Sequence, residues 1–441
     1  MKIAYYVQQK YAKANYKKEC FNSRAFAGLL MVGDALARAG HQVSYASAAT
    51  VDRYDVVLVS ITSDCDWWPY IAERLTWPRG NYKVVVGGAG VLNVRPFLPF
   101  ADAFILGRGE QIVVDLVQHL SRGEVYESPS VIYPEQFDYE STYVIAQSPI
   151  YPHSFEIGGA CLYQETEQGC PNKCLFCGYT WHRKHSSSTF AYRDGLYDLT
   201  EKHVVMQDAI RGNWDISNVR TTAMDGFSER LRFMVNKRIS NEDVATFLMM
   251  AATSGKPRQI KLYNVANYPT ETLADWLEFK QVLVEVDATT PHLIGKQYGL
   301  ILHTTPFRAM PATPAACWEM QYKNVRGEIA KQLGARGNSV FHKGNSFFAV
   351  ESMGTETLAT VILSNIVWRG TESDTENIKK LCATKRFWSS NSRQKQATLE
   401  KYFDVADLFR KYDPDDLPTR YLKTYVPLTY RQPGRGKAAD A

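Results

Sequence analysis

Short unbroken runs of Val, Ile and Leu alternate with segments of helical periodicity over residues 1–125, and this pattern restricts the fold more than any other feature of the chain. The strand-like runs are Lys2-Ile-Ala-Tyr-Tyr-Val7, His41–Tyr45, Tyr54–Ser60 and Tyr82–Gly88, and Ala103–Glu110 ends another ahead of a helical run from Gln111. Between the first two lies an amphipathic stretch, Phe26–Gly40, whose glycine stands just past the helix end. Strands without polar alternation are buried on both faces, so the expected fold is α/β, with a Rossmann-like parallel sheet covered by helices. Ser60, Gly87, Gly88, Gly107, Gly109 and Glu110 then fall at the carboxyl edge of that sheet, where open α/β folds bind ligands and where glycine lets backbone come close.

Residues 169–179 read Gly-Cys-Pro-Asn-Lys-Cys-Leu-Phe-Cys-Gly-Tyr and place Cys170, Cys174 and Cys177 at a C-x3-C-x2-C spacing. Three thiolates so spaced can wrap one face of a 4Fe-4S cubane and leave its fourth iron without a protein ligand. A structural zinc site completed by His182 or His185 is the competing reading, and a disulfide knot a weaker one. No secretory apolar segment precedes the first strand, so the thiols are expected in a reducing, cytoplasmic compartment. Cys20, Cys65, Cys161, Cys317 and Cys382 are scattered singly and are mostly expected to be inert core thiols.

The triad, with Phe176 before its last cysteine, resembles the signature of the radical S-adenosylmethionine (SAM) superfamily. The resemblance implies that the open iron chelates the amino and carboxylate groups of SAM, and that an electron from the cluster cleaves SAM to a 5'-deoxyadenosyl radical. It also implies an electron donor such as flavodoxin or ferredoxin, and a SAM site that includes Phe176, Gly178 and Tyr179. Residues 223–232, Ala-Met-Asp-Gly-Phe-Ser-Glu-Arg-Leu-Arg, resemble a family segment that contacts the ribose and amino-acid parts of SAM, which assigns Ser228, Glu229 and Arg230 there. An N-cap at Ser228 with a salt bridge is the plain alternative. Leu262–Thr272 resembles the family's strand followed by G-x-P-x-E-T, with Asn267 where glycine is usual; asparagine also tolerates a left-handed backbone. Thr305–Pro314 resembles the proline-rich segment late in the family's barrel.

Residues 1–125 resemble the cobalamin-binding-type domain that precedes the barrel in one branch of that superfamily, with Ser60, Gly87, Gly88, Gly107, Gly109 and Glu110 as the implied contacts. The D-x-H-x-x-G loop that would supply an axial histidine is missing. The one histidine between His41 and His153 is His119, late in a helix. Cobalamin is therefore conditional and would lack a histidine from this domain.

The expected organisation is a Rossmann-like domain over 1–125, a linker over 126–156, a partial or full (β/α) barrel over 157–320 and a small α+β extension over 321–441. Barrel strands are expected at Lys202–Asp208, Val219–Ala223, Gln259–Val265, Val282–Val286 and Gly299–His303, with a capped helix over Ser240–Ala252. In the extension, Gln321–Leu333 is expected as a helix and Asn338–His342 with Ser346–Val350 as a hairpin, and the tail from Gln432 as disordered. No apolar run approaches the roughly 20 residues that span a bilayer, so no membrane partner is expected.

Residues 321–441 carry 20 Lys and Arg against 13 Asp and Glu, whereas residues 1–320 carry 31 against 33. Within the basic part, Lys379–Lys395 interleaves Lys385 and Arg386 with Phe387 and Trp388, a composition suited to phosphates and bases, or equally to a solvated basic face over a buried aromatic pair. A second basic group, Arg183 and Lys184, follows the cysteines and is a candidate for phosphate contact. The leading expectation is a radical SAM enzyme acting on a nucleic-acid base in DNA or RNA, as a C-methyltransferase if cobalamin binds and otherwise as an isomerase of a modified base or amino-acid adduct. A non-catalytic, metal-containing nucleic-acid-binding protein is the alternative of another class.

Overall fold

The computed structural model describes residues 1–6, 27–157, 161–187, 205–213, 215–219, 221–254, 259–289, 298–321, 348–353 and 357–430. Two mainly parallel sheets organise them. The first contains β1 (Ile3–Tyr6), β2 (Val43–Ala46), β3 (Val56–Ser60), β4 (Lys83–Gly87), β5 (Ala103–Ile105) and β6 (Val131–Ile132), in the order β2-β1-β3-β4-β5-β6. All neighbours run parallel except β5 and β6, so the segment expected as a linker adds an antiparallel edge strand. Helices α1 (Ala27–Arg38) and α3 (Glu110–Ser121) cover one face, where Ile3, Val56, Leu58 and Val85 are buried with Leu36 and Leu116. Helix α2 (Trp67–Arg74) lies on the other, where Trp67 stacks on Phe97 at 4.0 Å and donates its indole N–H to the Gly90 carbonyl. Reversal of strand order between β1 and β3 marks the point outside whose carboxyl ends such sheets bind ligands.

The second sheet is β7 (Thr221–Ala223), β8 (Gln259–Ala266), β9 (Tyr298–Pro306) and β10 (Phe348–Met353), parallel throughout and in chain order. Helix α4 (Glu229–Met234) follows β7, and α5 (Asn241–Thr253) and α6 (Leu273–Thr289) flank β8. Ser240 caps α5 through a reciprocal pair with Asp243, the Ser-x-x-acid pattern of its sequence.

Two expected strands are corrected. Val282–Val286 lies inside α6, because Trp276, Phe279, Val282, Leu283 and Val286 recur at helical spacing and all point into the core; the local apolar run imitates a strand only when read alone. Met206–Ile210 is a short helix where Lys202–Asp208 was expected extended, and residues 201–204 are outside those described. Phe348–Met353 joins β9 in parallel, while Asn338–His342, its expected hairpin partner, and the expected helix beyond Gln321 fall outside the described residues. The tail from Gln432 does so too. Among the described residues no helix is long and apolar enough to cross a membrane.

The C-terminal helices pack on the first sheet's domain rather than apart from it. Asn93 donates to the Gly370 carbonyl at 2.7 Å, Arg95 pairs with Glu372 at 2.6 Å and Thr375 donates to the Pro96 carbonyl at 3.0 Å. One core runs from Ile61 and Trp67 through Phe307 and Trp318 to Ile362 and Phe387. At its far side Arg369, closing helix α7 (Leu358–Arg369), gives its guanidinium to four carbonyls, those of Leu408, Arg410, Ala316 and Trp318. Burial lowers its pKa to about 10, and the guanidinium still stays charged at neutral pH. Arg369→Met is expected to leave those carbonyls unpaired and cost about 3 kcal/mol of unfolding free energy, read as a lower urea midpoint with unchanged slope; an unchanged midpoint would refute this role.

Candidate active site

The cysteine loop is bonded to the segments that follow β7 and β9, and Arg308, just beyond β9, pairs with Asp64, just beyond β3, at 2.7 Å. Its backbone is held from two sides: Leu175 N–H donates to the Val235 carbonyl, just past α4, and the Leu175 carbonyl accepts from Ala315 N–H, in the segment after β9, both close to 3 Å. Within the loop, Cys177 N–H closes a turn onto the Cys174 carbonyl, and Trp181 donates its indole N–H to the same oxygen at 2.9 Å. The short helix Gly178–Trp181 follows. Gly178 is required by contact: a Cβ there would lie 2.3 Å from the Met310 sulfur and 2.6 Å from the His182 ring. Tyr425 donates to the Thr180 carbonyl at 3.0 Å and accepts from Lys173, tying the C-terminal segment to the loop.

All three cysteines of the loop are free thiols; Cys174 is buried, and Cys170 and Cys177 are half-buried. Burial pushes the Cys174 thiol up to about 12 and raises Cys177 as well, and each of these two thiols feels the charge of Cys170. Lys237 opposes the rise at Cys174. Burial alone would lower Lys237, but Asp225, at 2.9 Å, and then Cys174 outweigh it and raise its pKa. A cation beside a thiol favours the thiolate, the form in which cysteine ligates metal, and here Lys237 offsets part of the burial penalty at Cys174 while the net balance keeps the thiol protonated. Three free thiols on one loop with this cation fit an iron-sulfur cluster in donor chemistry. Their sulfurs do not converge as a ligand group, and among the described residues no three His, Cys, Asp or Glu side chains do.

Of the two histidines in the zinc alternative, His182 is engaged elsewhere. His182 is buried, its Nε2 bonded to the Pro311 carbonyl at 2.8 Å, and burial lowers its pKa to about 4. His185 lies 3.7 Å from Glu167.

Phe176 is half-buried 6.3 Å from the Tyr268 ring, and Tyr268 in turn donates to the Asp225 carbonyl at 2.8 Å. Tyr179 is 47% exposed, with Arg183 stacked at 5.3 Å, so this ring and guanidinium remain open beside the loop; Lys184 is exposed. Ser228, Glu229 and Arg230 have structural partners. Ser228 is wholly buried, caps α4 and donates to Asp275; Arg230 pairs with Asp275 at 2.7 Å; Glu229 accepts from Asn241 N–H at 2.8 Å. This is the N-cap with salt bridge. Asn267 has φ +64°, the left-handed turn its residue type allows, and Glu271 closes that turn by accepting from Tyr268 N–H and the Trp276 indole.

On the first sheet, Ser60, Gly87, Gly88, Gly107 and Gly109 line up half-exposed along the carboxyl edges of β3, β4 and β5. Gly88 and Gly107 have internal reasons to be glycine: both have positive φ, and an added Cβ would lie 2.5 Å from the Ile61 and Ala146 carbonyl oxygens respectively. At Gly87 and Gly109 a Cβ would sit in ordinary van der Waals contact, against Ile105 and, at Gly109, Val113 and Val32 as well, so neither position is glycine for want of room. Glu110 does not join that edge. It is buried in a network in which Arg108 pairs with it at 2.9 Å and takes Glu165 in two bonds, of 2.5 and 2.7 Å. That network joins the end of β5 to the chain entering the cysteine loop. His119 bonds its own helix at the Asp115 carbonyl, in the last turn of α3 and so at the end away from the strand ends.

Trp388 is half-buried: its ring stands edge-on to Phe387 and 6.1 Å from Trp68 with the indole nitrogen sealed from solvent, while Phe387 is buried and Lys385 and Arg386 are exposed, an arrangement that matches the solvated-face alternative. Cys317 and Cys382 are buried thiols pushed up to about 12, as expected of core cysteines, whereas Cys65 is exposed and Cys20 lies outside the described residues. Asp225, Lys237 and Glu165 were missed in the sequence. The signal for Lys237 is weak: Asn236, at φ +62°, ends α4 in a left-handed turn that aims the next residue back at the loop.

No family model matches the chain. An uncharacterized protein of Methanocaldococcus jannaschii is 23% identical over 51% of this chain and 61% of its own length, so the chain spans about three fifths of that relative. Among solved structures, the cobalamin-dependent S-adenosylmethionine radical enzyme OxsB with aqua-cobalamin and S-adenosylmethionine bound aligns with 95% of this chain and 59% of its own, at 8% identity and a TM-score of 0.29. The apo form of OxsB aligns at 10% identity and a TM-score of 0.23, over 89% of this chain and 57% of its own.

Because the folded His182 pKa lies below that of the free imidazole, its contribution to stability is complete above about pH 6.5 and is lost as pH falls from there toward 4. His182→Gln is expected to flatten the stability profile by up to about 3 kcal/mol across that window, measured by urea titration at stepped pH; a variant profile parallel to that of the wild type would count against a neutral buried imidazole.

Proposed function

We propose that this chain is a radical SAM enzyme whose cluster is held by Cys170, Cys174 and Cys177. The supporting observation is the position of the cysteine loop: it is fastened to segments that follow β7 and β9, and Glu165, shortly before it, pairs with Arg108 just beyond β5. Open α/β sheets and parallel barrels both place their chemistry at that edge. In this reading residues 1–125 are the cobalamin-type domain, the second sheet is part of a (β/α) barrel within 157–320, and residues 321–441 are an extension.

When bound, the cluster and SAM supply the electron and the cleavable sulfonium that start radical chemistry. The chain's own residues do the remaining work. Lys237 offsets thiolate charge at Cys174, while Asp225 keeps Lys237 in place. Phe176 and Tyr268 form an apolar wall that excludes water from one side of the loop, and Tyr179 with Arg183 offers a ring and a cation at its exposed side. Ser228 and Arg230 act by holding the start of α4 against Asp275, which positions the Val235 carbonyl that fastens the loop. Ser60, Gly87 and Gly109, half-exposed at the carboxyl edge of the first sheet, would be among the contacts of cobalamin, and with cobalamin there the outcome would be methyl transfer to carbon; without it, rearrangement of the substrate.

Protein purified without oxygen and reconstituted is expected to carry about four iron atoms per chain and to convert SAM to 5'-deoxyadenosine, with S-adenosylhomocysteine in addition if cobalamin supports methylation. Cys174→Ala is expected to lose most of the iron and all cleavage. A colourless, zinc-loaded protein that leaves SAM intact would refute the proposal.

A further inference from the structure

We infer that the solvent face of the cysteine loop is a docking surface for an acidic one-electron carrier protein, built from Lys173, Arg238 and Phe233 with Trp181 and Tyr425 beside them. This rests on the reading of that loop as the holder of a redox cluster, and adds where the electron enters.

Electron transfer between proteins falls off steeply with distance, so a carrier must meet the surface nearest the cluster. Here that surface can be followed from contact to contact. Lys173 is exposed and directly precedes the buried Cys174. Its carbonyl accepts from the Asn236 side chain at 3.0 Å, and on the other side of Cys174 the Leu175 N–H donates to the Val235 carbonyl. The end of α4 is thereby laid along residues 173–175. Two further exposed side chains come with it. Arg238 donates its Nε–H to Asn236 Oδ1 at 3.2 Å, and its guanidinium lies 5.2 Å from the ring centre of Phe233, which is 39% exposed. From the other direction the Lys173 ammonium lies 5.3 Å from the Trp181 ring and 5.4 Å from that of Tyr425, and donates to the Tyr425 hydroxyl.

Both exposed cations keep their charge available. Their polar partners are a phenol and an amide, and among the described residues neither is in an ion pair. Lys237, between them in space and chain, is by contrast half-buried and paired with Asp225. Arginine and aromatic rings are the residue types enriched where proteins meet, and two uncompensated cations select a partner of negative charge. A single exposed phenylalanine offers little apolar area for a permanent interface. Small contacts steered by charge are what electron-transfer pairs use, because the carrier must leave after each delivery. The carrier is oxidised by one electron, which the cluster takes up, and no bond is made or broken.

The test uses the full chain with its cluster reconstituted, and follows the anisotropy of a fluorescently labelled flavodoxin in one arm and a labelled 2Fe-2S ferredoxin in the other. Binding of one carrier to the wild type is expected, weakening as salt is added. Lys173→Gln and Arg238→Gln should each weaken it several-fold at low salt, and the double variant about tenfold with a flatter salt dependence. Arg122→Gln, the same loss of charge at the end of α3, should leave it unchanged. Iron content is measured for every variant. Should Lys173→Gln lose iron, Arg238→Gln and Phe233→Ala, both outside the cysteine loop, decide the matter. Equal affinity in wild type and Arg238→Gln, or no binding of either carrier, would overturn the inference. Wild type that holds iron and is reduced by dithionite but binds no carrier removes this inference alone, whereas wild type that takes up no iron removes the reading on which it rests.

Discussion

Asp64, buried just beyond the carboxyl end of β3, accepts from Arg308 at 2.7 Å and from the hydroxyl of Ser364. Three distant parts of the chain meet at this carboxylate: the edge of the first sheet, the segment after β9 and helix α7. A carboxylate can be desolvated there because a guanidinium and a hydroxyl satisfy it, and loss of either partner would leave a buried charge costing several kcal/mol. The facing of the two sheet edges depends on this contact and on the Arg108 network, which repeats the arrangement at the end of β5.

Between these two polar anchors the cysteine loop is positioned by backbone bonds and close contact. Leu175 uses both its N–H and its carbonyl to bridge α4 and the post-β9 segment, and Gly178 lets Met310 and His182 approach to distances no side chain would permit. The loop is thereby presented on rigid supports while Tyr179 and Arg183 remain open. Burial of Cys174 raises its thiol to about 12 and Lys237 counters only part of that rise.

Much of the first sheet was legible because its central strands, β3 and β4, are apolar runs bounded by glycine or polar residues, whereas the short edge strand β6 lay in the expected linker. The capped helix after Ser240 and the left-handed turn at Asn267 were legible for a similar reason, since both depend on the conformational preference of one or two residues. Val282–Val286 misled because a strand and one side of a buried helix share the same short apolar run, and only the longer spacing from Trp276 onward separates them. At Phe387 and Trp388 the composition was compatible with base stacking or with a buried pair, and only the fold showed that Phe387 is buried and that Trp388 lies half-buried near Trp68 on α2.

The amino-acid sequence by itself determined the parallel character of the first sheet, the clustering of three thiols on one loop and the turns that depend on local backbone preference. Periodicity, spacing and φ preference act over a few residues, so no distant contact is needed to read them. Tertiary structure decided that Glu110 is consumed by Arg108, that Ser228 and Arg230 brace α4, and that Lys237 stands beside Cys174. Each of these rests on desolvation and pairing between groups brought together by the fold, energies that no single stretch of the chain contains.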